Sequence, residues 1–285
     1  MQRALVLGGG GVIGVAWETG VLFGLLEGGF DPRQMDVFVG TSAGAITGSA
    51  LAAGQLPPGP GTKEATERNT LPLDPTKLDP KVLGAVFARW AKMELTTIAE
   101  AAGIGALAAS VNRDGEASWV EHVTRMLGVS AWPTDKRLLV NTVDTASGAR
   151  RVLDRASGVE LGRAVAASSA VPGLFPSVTI GGVLYMDGQV HSSTNADALL
   201  AFGPFDVLVA MPTNSVTAPG IGAHAERMLA AEITALEAQG SRVRARQPRS
   251  EDGPRLGRNL MDPTKAGEAY RVGLETGVAW AAELR

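Results

Sequence analysis

The first 54 residues constrain this chain most, because two strand–turn–helix units follow one another there and both turns are built from glycine and other small residues. Ala4 to Leu7 is a short apolar run ending in Gly8 to Gly11, and it reads as a buried strand. Ile13 to Glu27 then places Val15, Ala16, Trp17, Val21, Leu22, Leu25 and Leu26 at helical spacing, and Gly28-Gly29 stops the helix. Val37 to Val39 repeats the buried strand, and Ala43 to Ala53 repeats the helix, closing at Gly54. This order predicts parallel strands joined by right-handed crossovers, an α/β fold.

Further along, Pro57 to Pro80 concentrates proline and glycine and is expected to be an exposed connection. Helices are expected over Lys81 to Glu94, Thr96 to Ala109 and Trp119 to Leu127. On the first of these, Val82, Val86, Phe87, Trp90 and Met93 share a face that either covers the sheet or forms a lid or acyl-chain groove. Leu138 to Val143 reads as a strand with a hairpin return at Arg151 to Leu153, and Leu161 to Ser169 as a short helix. Gly181-Gly182 marks a hairpin between Ser177–Ile180 and Val183–Met186. Phe205 to Met211 is a buried strand, Glu226 to Ala238 a helix and Arg242 to Arg246 an exposed or edge strand. Pro248 to Asn259 reads as a polar loop and Lys265 to Leu284 as mostly helical.

Gly40-Thr41-Ser42-Ala43-Gly44 lies between the second strand and its helix and matches G-x-S-x-G. A serine hydroxyl is a weak nucleophile until it is exposed, oriented and paired with a base. A sharp strand-to-helix turn exposes it, and the positions two residues away must then be small, as Gly40 and Gly44 are. A plain turn with Ser42 as a helix cap would show the same residues. The first turn, Gly8 to Gly14, presents bare amides beside a helix N-terminus, which makes an anion site. It suits an oxyanion hole, and Gly9-x-Gly11-x-x-Gly14 also fits a dinucleotide-binding fingerprint. The latter needs an acidic residue at the end of the second strand, where this chain has Gly40-Thr41-Ser42, while Asp36 sits at the other end.

Asp187-Gly188-Gln189 follows the Val183–Met186 strand, so its carboxylate stands at a strand end and could act as a base within reach of Ser42. An Asp-Gly turn alone is an ordinary feature. Of the three histidines, His122, His191 and His224, only His191 is a minor alternative partner for Ser42, on a segment expected to run away from the site.

Taken together, these motifs resemble those of the patatin-like phospholipases and lipid acyl hydrolases. The resemblance rests on Gly9-Gly10-Gly11-Val12-Ile13-Gly14, Gly40 to Gly44, Asp187-Gly188-Gln189 and the run Ala166-Ala167-Ser168-Ser169-Ala170-Val171-Pro172-Gly173-Leu174-Phe175-Pro176. It covers residues 1–54 and roughly 136–212. It implies one three-layer α/β/α domain over 1–285 with a mainly parallel central sheet and a less family-like helical insertion at about 55–135. It further implies a Ser42–Asp187 dyad without histidine, an oxyanion hole from the amides of Gly9, Gly10 and Gly11, supporting roles for Gly14, Gly40, Gly44 and Gly188, and no metal or organic cofactor. Ile13, Gln189 and Asn195-Ala196 depart from the family pattern, which has a basic residue, a small residue and Asn-x-Pro there.

Composition sets outer bounds. A formal net charge of -3 argues against nucleic acid and against polybasic capture by anionic membranes. Cysteine is absent, which fits a reducing, cytoplasmic setting. No signal peptide is expected, and no apolar run reaches the roughly 18 residues of a membrane span, so any membrane contact would be peripheral. The expected partner is a lipid or fatty-acyl ester. Acyl transfer to an alcohol, or non-catalytic lipid or nucleotide binding, would use the same motifs.

Overall fold

The computed structural model describes residues 1–59, 62, 78–109 and 115–285. Most of the expected Pro57–Pro80 connection lies outside the described residues. The elements run β1 (Gln2–Leu7), α1 (Gly11–Glu27), β2 (Val37–Gly40), α2 (Ala43–Ala52), α3 (Pro80–Ala91), α4 (Ile98–Ala109), α5 (Glu116–Leu127), β3 (Arg137–Asp144), β4 (Arg150–Leu153) and α6 (Leu161–Ser168). They continue with β5 (Val178–Ile180), β6 (Val183–Asp187), β7 (Phe205–Ala210), α7 (Gly222–Ala238), β8 (Arg242–Arg246), α8 (Gly253–Leu256) and α9 (Ala266–Glu283).

Among the described residues the strands form one sheet in the order β5-β6-β3-β2-β1-β7-β8, with β4 also on β3. The five strands β3, β2, β1, β7 and β8 are parallel, while β4, β6 and β5 join at one end antiparallel. The sheet is therefore mainly parallel, as the repeated strand–helix order predicts. Alternation along the strands sends Leu5, Leu7, Phe38, Leu138, Val140 and Leu208 to one face, under α1, α2, α6 and α9. Ala4, Val6, Val37, Val39, Leu139, Val207 and Val209 fill the other, against Ala225, Leu229 and Leu236 of α7. Helices on both faces give three layers. Each fully buried Leu, Val or Phe in these layers contributes about 1.5–3 kcal/mol.

The antiparallel end is capped by α3 and α4. Asp79 Oδ1 accepts from the amides of Lys81 (2.8 Å) and Val82 (3.3 Å), and Pro80 occupies the first turn, so α3 starts on a strong cap. Val86, Trp90 and Met93 are buried with Val143, Met186 and Val190. The apolar face of this helix thus covers the sheet, while Phe87, stacked on Trp90 with centroids 5.9 Å apart, turns toward a neighbouring cavity. The expected polar loop at Pro248–Asn259 instead holds a 3-10 turn at Ser250–Asp252 and the short helix α8. The Arg249 amide donates to Asp252 Oδ2 at 2.7 Å, and Leu256 is buried, which gives a polar-looking stretch an anchor.

The C-terminal helix α9 docks on α1 through glycines. A Cβ at Gly20 would lie 2.1 Å from Tyr270 O, and at Gly24 2.3 Å from Leu274 O. On the opposite helix, Gly273 and Gly277 would meet Trp17 O at 2.0 Å and Val21 O at 2.2 Å. Backbone lies against backbone, so no side chain fits between the helices. Gly273→Ala is expected to destabilise by about 1–3 kcal/mol through overpacking. Gly84→Ala, in α3 with open space around the glycine, should be neutral or stabilising by up to ~1 kcal/mol. Melting curves of the two variants check this, and equal effects would refute the close approach.

Candidate active site

Three loops converge at the carboxyl end of the parallel strands. The first is the turn after β2. Ser42 has φ 53° and ψ -115°, and only Asn195 shares a positive φ among the described non-glycine residues. Such a conformation costs of order 1–3 kcal/mol and persists only where its surroundings hold it. Here the Gly44 amide donates to Gly8 O (3.0 Å) and the Thr41 amide to Leu7 O (3.2 Å). A Cβ at Gly44 would lie 1.9 Å from Leu7 O, and one at Gly40 2.6 Å from Ala45 Cα. From the C-terminal end of α6, Ser168 Oγ accepts from the Ser42 amide (3.0 Å) and Ser169 Oγ donates to Ser42 O (3.4 Å). The N-terminus of α2 begins at the next residue, so its positive end faces the hydroxyl.

The second loop is the glycine turn before α1. The Gly9 amide is committed to Ser193 O at 2.8 Å, so it anchors the loop instead of facing outward. This departs from the expected trio. The amides of Gly10 and Gly11 have no hydrogen-bond partner among the described residues, and Gly11 lines the same cavity as Ser42. Gly14 packs against Ala43 and Pro212, letting α1 and α2 start side by side.

The third loop follows β6. Asp187 faces Thr142 of β3, and Gly40 faces Val140 on the other side of the same strand. Two residues past Gly40, Ser42 therefore stands level with Asp187. Gly188 is required where it stands, since a Cβ would lie 2.2 Å from Asn141 O. Asp187 is fully buried; its Oδ1 accepts from the Gln189 amide (2.8 Å) while Oδ2 lacks a hydrogen bond of regular geometry. Burial pushes its pKa from 3.8 to about 7, opposed by the Gln189 amide and by the adjacent Ser42 side chain.

His191 stands outside this group. Its carbonyl accepts from Thr96 Oγ1 (2.5 Å), and burial with the nearby Arg150 lowers its imidazole to about 4. No hydrogen bond joins it to Ser42. His122 stacks on Trp119, and His224 pairs with Thr96 Oγ1 at 2.9 Å. Among the described residues no cluster has the composition of a metal site.

Residues to which the sequence assigns no role hold these loops, although Asn195 stands at the noted Asn-x-Pro position. Asn195, in a left-handed conformation, donates from Nδ2 to Thr41 Oγ1 (3.1 Å), Gly188 O (3.2 Å) and Ser192 O (2.6 Å). It thereby ties the serine turn to the aspartate turn. Glu232 of α7 binds the Thr194 hydroxyl and the Ala196 amide (3.1 Å), with burial lifting it to about 7. Glu18 of α1 accepts from Thr47 Oγ1 of α2 (2.7 Å), and burial raises it well above the usual carboxyl range. A signal for Glu18 was present, because it is the only charge between Val12 and Leu26.

One cavity is lined by Ser42, and a second neighbours it. An inner one of about 40 Å³ is apolar, walled by Val15, Ile46, Trp119, Met126, Val171 and Phe175. An outer one of about 300 Å³ is lined by Phe87, Trp90, Leu174, Gln189, Arg258 and Leu260, among others. Gly11, Val171 and Met261 belong to both.

A family model described as patatin-like phospholipase matches residues 5–200. No curated protein matches the chain. Among solved structures, VipD from Legionella pneumophila gives a TM-score of 0.46 at 13% identity, over 99% of this chain and 67% of that one. The type III effector protein ExoU gives 0.42 at 14% identity, over 99% of this chain and 53% of that one.

Raising the pKa of a buried acid makes its ionisation oppose folding. The folded state holds the Asp187 proton up to about pH 7, whereas the unfolded chain releases it near 3.8. Stability is thus fully retained below the lower value and lost as pH climbs to the upper one, by roughly 1.4 kcal/mol per unit between them. Asp187→Asn removes this slope. The difference in unfolding free energy between Asp187→Asn and the natural protein should grow in favour of the variant from pH 4 to 7 and then level off. A flat difference in denaturant titrations would contradict the burial of an ionisable carboxyl.

Proposed function

The chain belongs to the patatin-like phospholipase family, and from that premise we propose that it is a serine lipid acyl hydrolase working through Ser42 and Asp187. The observation that carries this reading is the level placement of a strained, turn-tip serine and a buried carboxyl whose Oδ2 has no regular partner, on either side of β3.

Asp187 takes the proton from Ser42 Oγ as that oxygen adds to the ester carbonyl. The negative charge develops on the carbonyl oxygen, where the Gly10 and Gly11 amides and the starts of α1 and α2 oppose it. Asp187 returns the proton to the departing alkoxide, leaving the acyl group on Ser42. Water then gives a proton to Asp187 and attacks the acyl carbon, and collapse returns that proton to Ser42 Oγ with release of the fatty acid. A carboxyl near pH 7 suits this exchange, because an aspartate at its ordinary pKa of about 3.9 is too weak a base. The apolar inner cavity takes the first carbons of the acyl chain. Among the described residues no helix is long and apolar enough to cross a membrane.

A fluorophosphonate should label Ser42, as mass mapping would show, and Ser42→Ala should lose both label and turnover of a nitrophenyl ester. With the carboxylate as the active form, kcat/KM should rise with pH through an apparent pKa near 7. A label elsewhere, or natural turnover in Ser42→Ala, would refute the assignment. Met126→Ala, which enlarges the inner cavity that Met126 lines, should shift preference toward longer chains, as a series of nitrophenyl esters can measure.

A further inference from the structure

Hydrolysis at Ser42 leaves open what stands on the alcohol side of the ester. The chemistry of the two cavities bears on this. Among the described residues, Arg258 is the only charged side chain that lines either cavity. It is exposed, and it makes no hydrogen bond or ion pair among the described residues. Its neighbours differ: Arg255 is bound to Glu268 (3.1 Å) and Glu275 (2.8 Å), and Arg249 pairs with Glu251 (3.2 Å). Among the described residues no carboxylate lines the outer cavity to neutralise the guanidinium. The glycine loop offers no cation either, because Ile13 is buried in the core.

The backbone that carries Arg258 is held in place. The Ile13 amide donates to Leu260 O at 3.0 Å, and the Met261 amide to Asn259 Oδ1 at 3.0 Å. Leu260 O and Met261 Sδ each come within 2.7 Å of where a Cβ on Gly11 would stand. This strap therefore presses on the loop that faces the oxyanion, and α9 behind it is locked to α1. The arginine stands at the rim of a cavity large enough for a polar head, while the inner cavity beside Ser42 holds no charged side chain and is apolar apart from Ser42 and Ser169.

Resting on the reading of Ser42 as nucleophile, we infer that Arg258 is a specificity residue that holds the anionic phosphate of an acylglycerol head group in the outer cavity while the acyl chain enters the inner one. A guanidinium offers a forked pair of donors that matches a phosphate, and an uncharged alcohol gains nothing comparable from it.

Calorimetric titration of the Ser42→Ala protein with dihexanoyl phosphatidylglycerol and with dihexanoylglycerol tests this, since the two carry the same acyl chains. The anionic ligand should bind roughly tenfold more tightly, a ratio that Arg258→Gln collapses toward one and Arg258→Lys partly keeps. Arg255→Gln, outside both cavities, should leave the ratio as it is. Equal affinities for the two ligands, absence of binding by either, or a preference that survives Arg258→Gln would overturn the inference. Because this readout is binding, it is separate from the nucleophile assignment: full turnover by Ser42→Ala would end that assignment, yet loss of the preference in Arg258→Gln would still support the role of Arg258.

Discussion

The site depends on how closely two backbone segments approach each other. The turn that carries Ser42 lies directly on the end of β1, with the Gly44 amide on Gly8 O and no room for a side chain between Gly44 and Leu7. That contact holds Ser42 in its strained conformation and brings α1 and α2 to the same edge with their positive ends side by side. A methyl group at position 44 would force the two segments apart, and the serine would relax away from the glycine amides. Packing at the ends of adjacent parallel strands thus orients the Ser42 side chain.

Around this contact the protein buries three carboxyl groups, Glu18, Asp187 and Glu232, each raised by desolvation. Two are occupied with structure: Glu18 joins α1 to α2 through Thr47, and Glu232 holds the turn that presents Asn195. Each keeps one oxygen without a regular partner, Glu18 Oε1, Asp187 Oδ2 and Glu232 Oε1, and Asp187 differs in lying beside the Ser42 side chain. A buried acid normally satisfies both oxygens, because an unmade hydrogen bond costs about 1–3 kcal/mol. Asp187 bears that cost beside Ser42, the one serine with a positive φ among the described residues.

The matched family region ends at residue 200, but the site does not. Residues 258–261 form part of the cavity walls, and α9 is locked against α1 by glycines on both helices. The C-terminal segment therefore walls the cavities next to the Ser42 turn.

Much of the fold was legible because short-range rules govern it. Apolar runs ended by glycines marked β1 and β2, helical spacing marked α1 and α2, and Gly40, Ser42, Gly44, Asp187 and Gly188 declared themselves through local turn chemistry. The hidden parts arise from contacts between distant segments. Nothing near Gly9 in sequence says that its amide is taken by Ser193, and nothing near Asn195 says that it bridges Thr41 and Gly188. The short helix within Pro248–Asn259 was masked by polar residues whose anchor, Leu256, is buried only by tertiary packing. The sequence by itself determined the alternation of strand and helix and the small residues that tight turns demand, since both follow from backbone sterics and periodicity. Only the tertiary structure decided the environment of each group, because desolvation and hydrogen-bond partners depend on what other parts of the chain bring within a few ångströms.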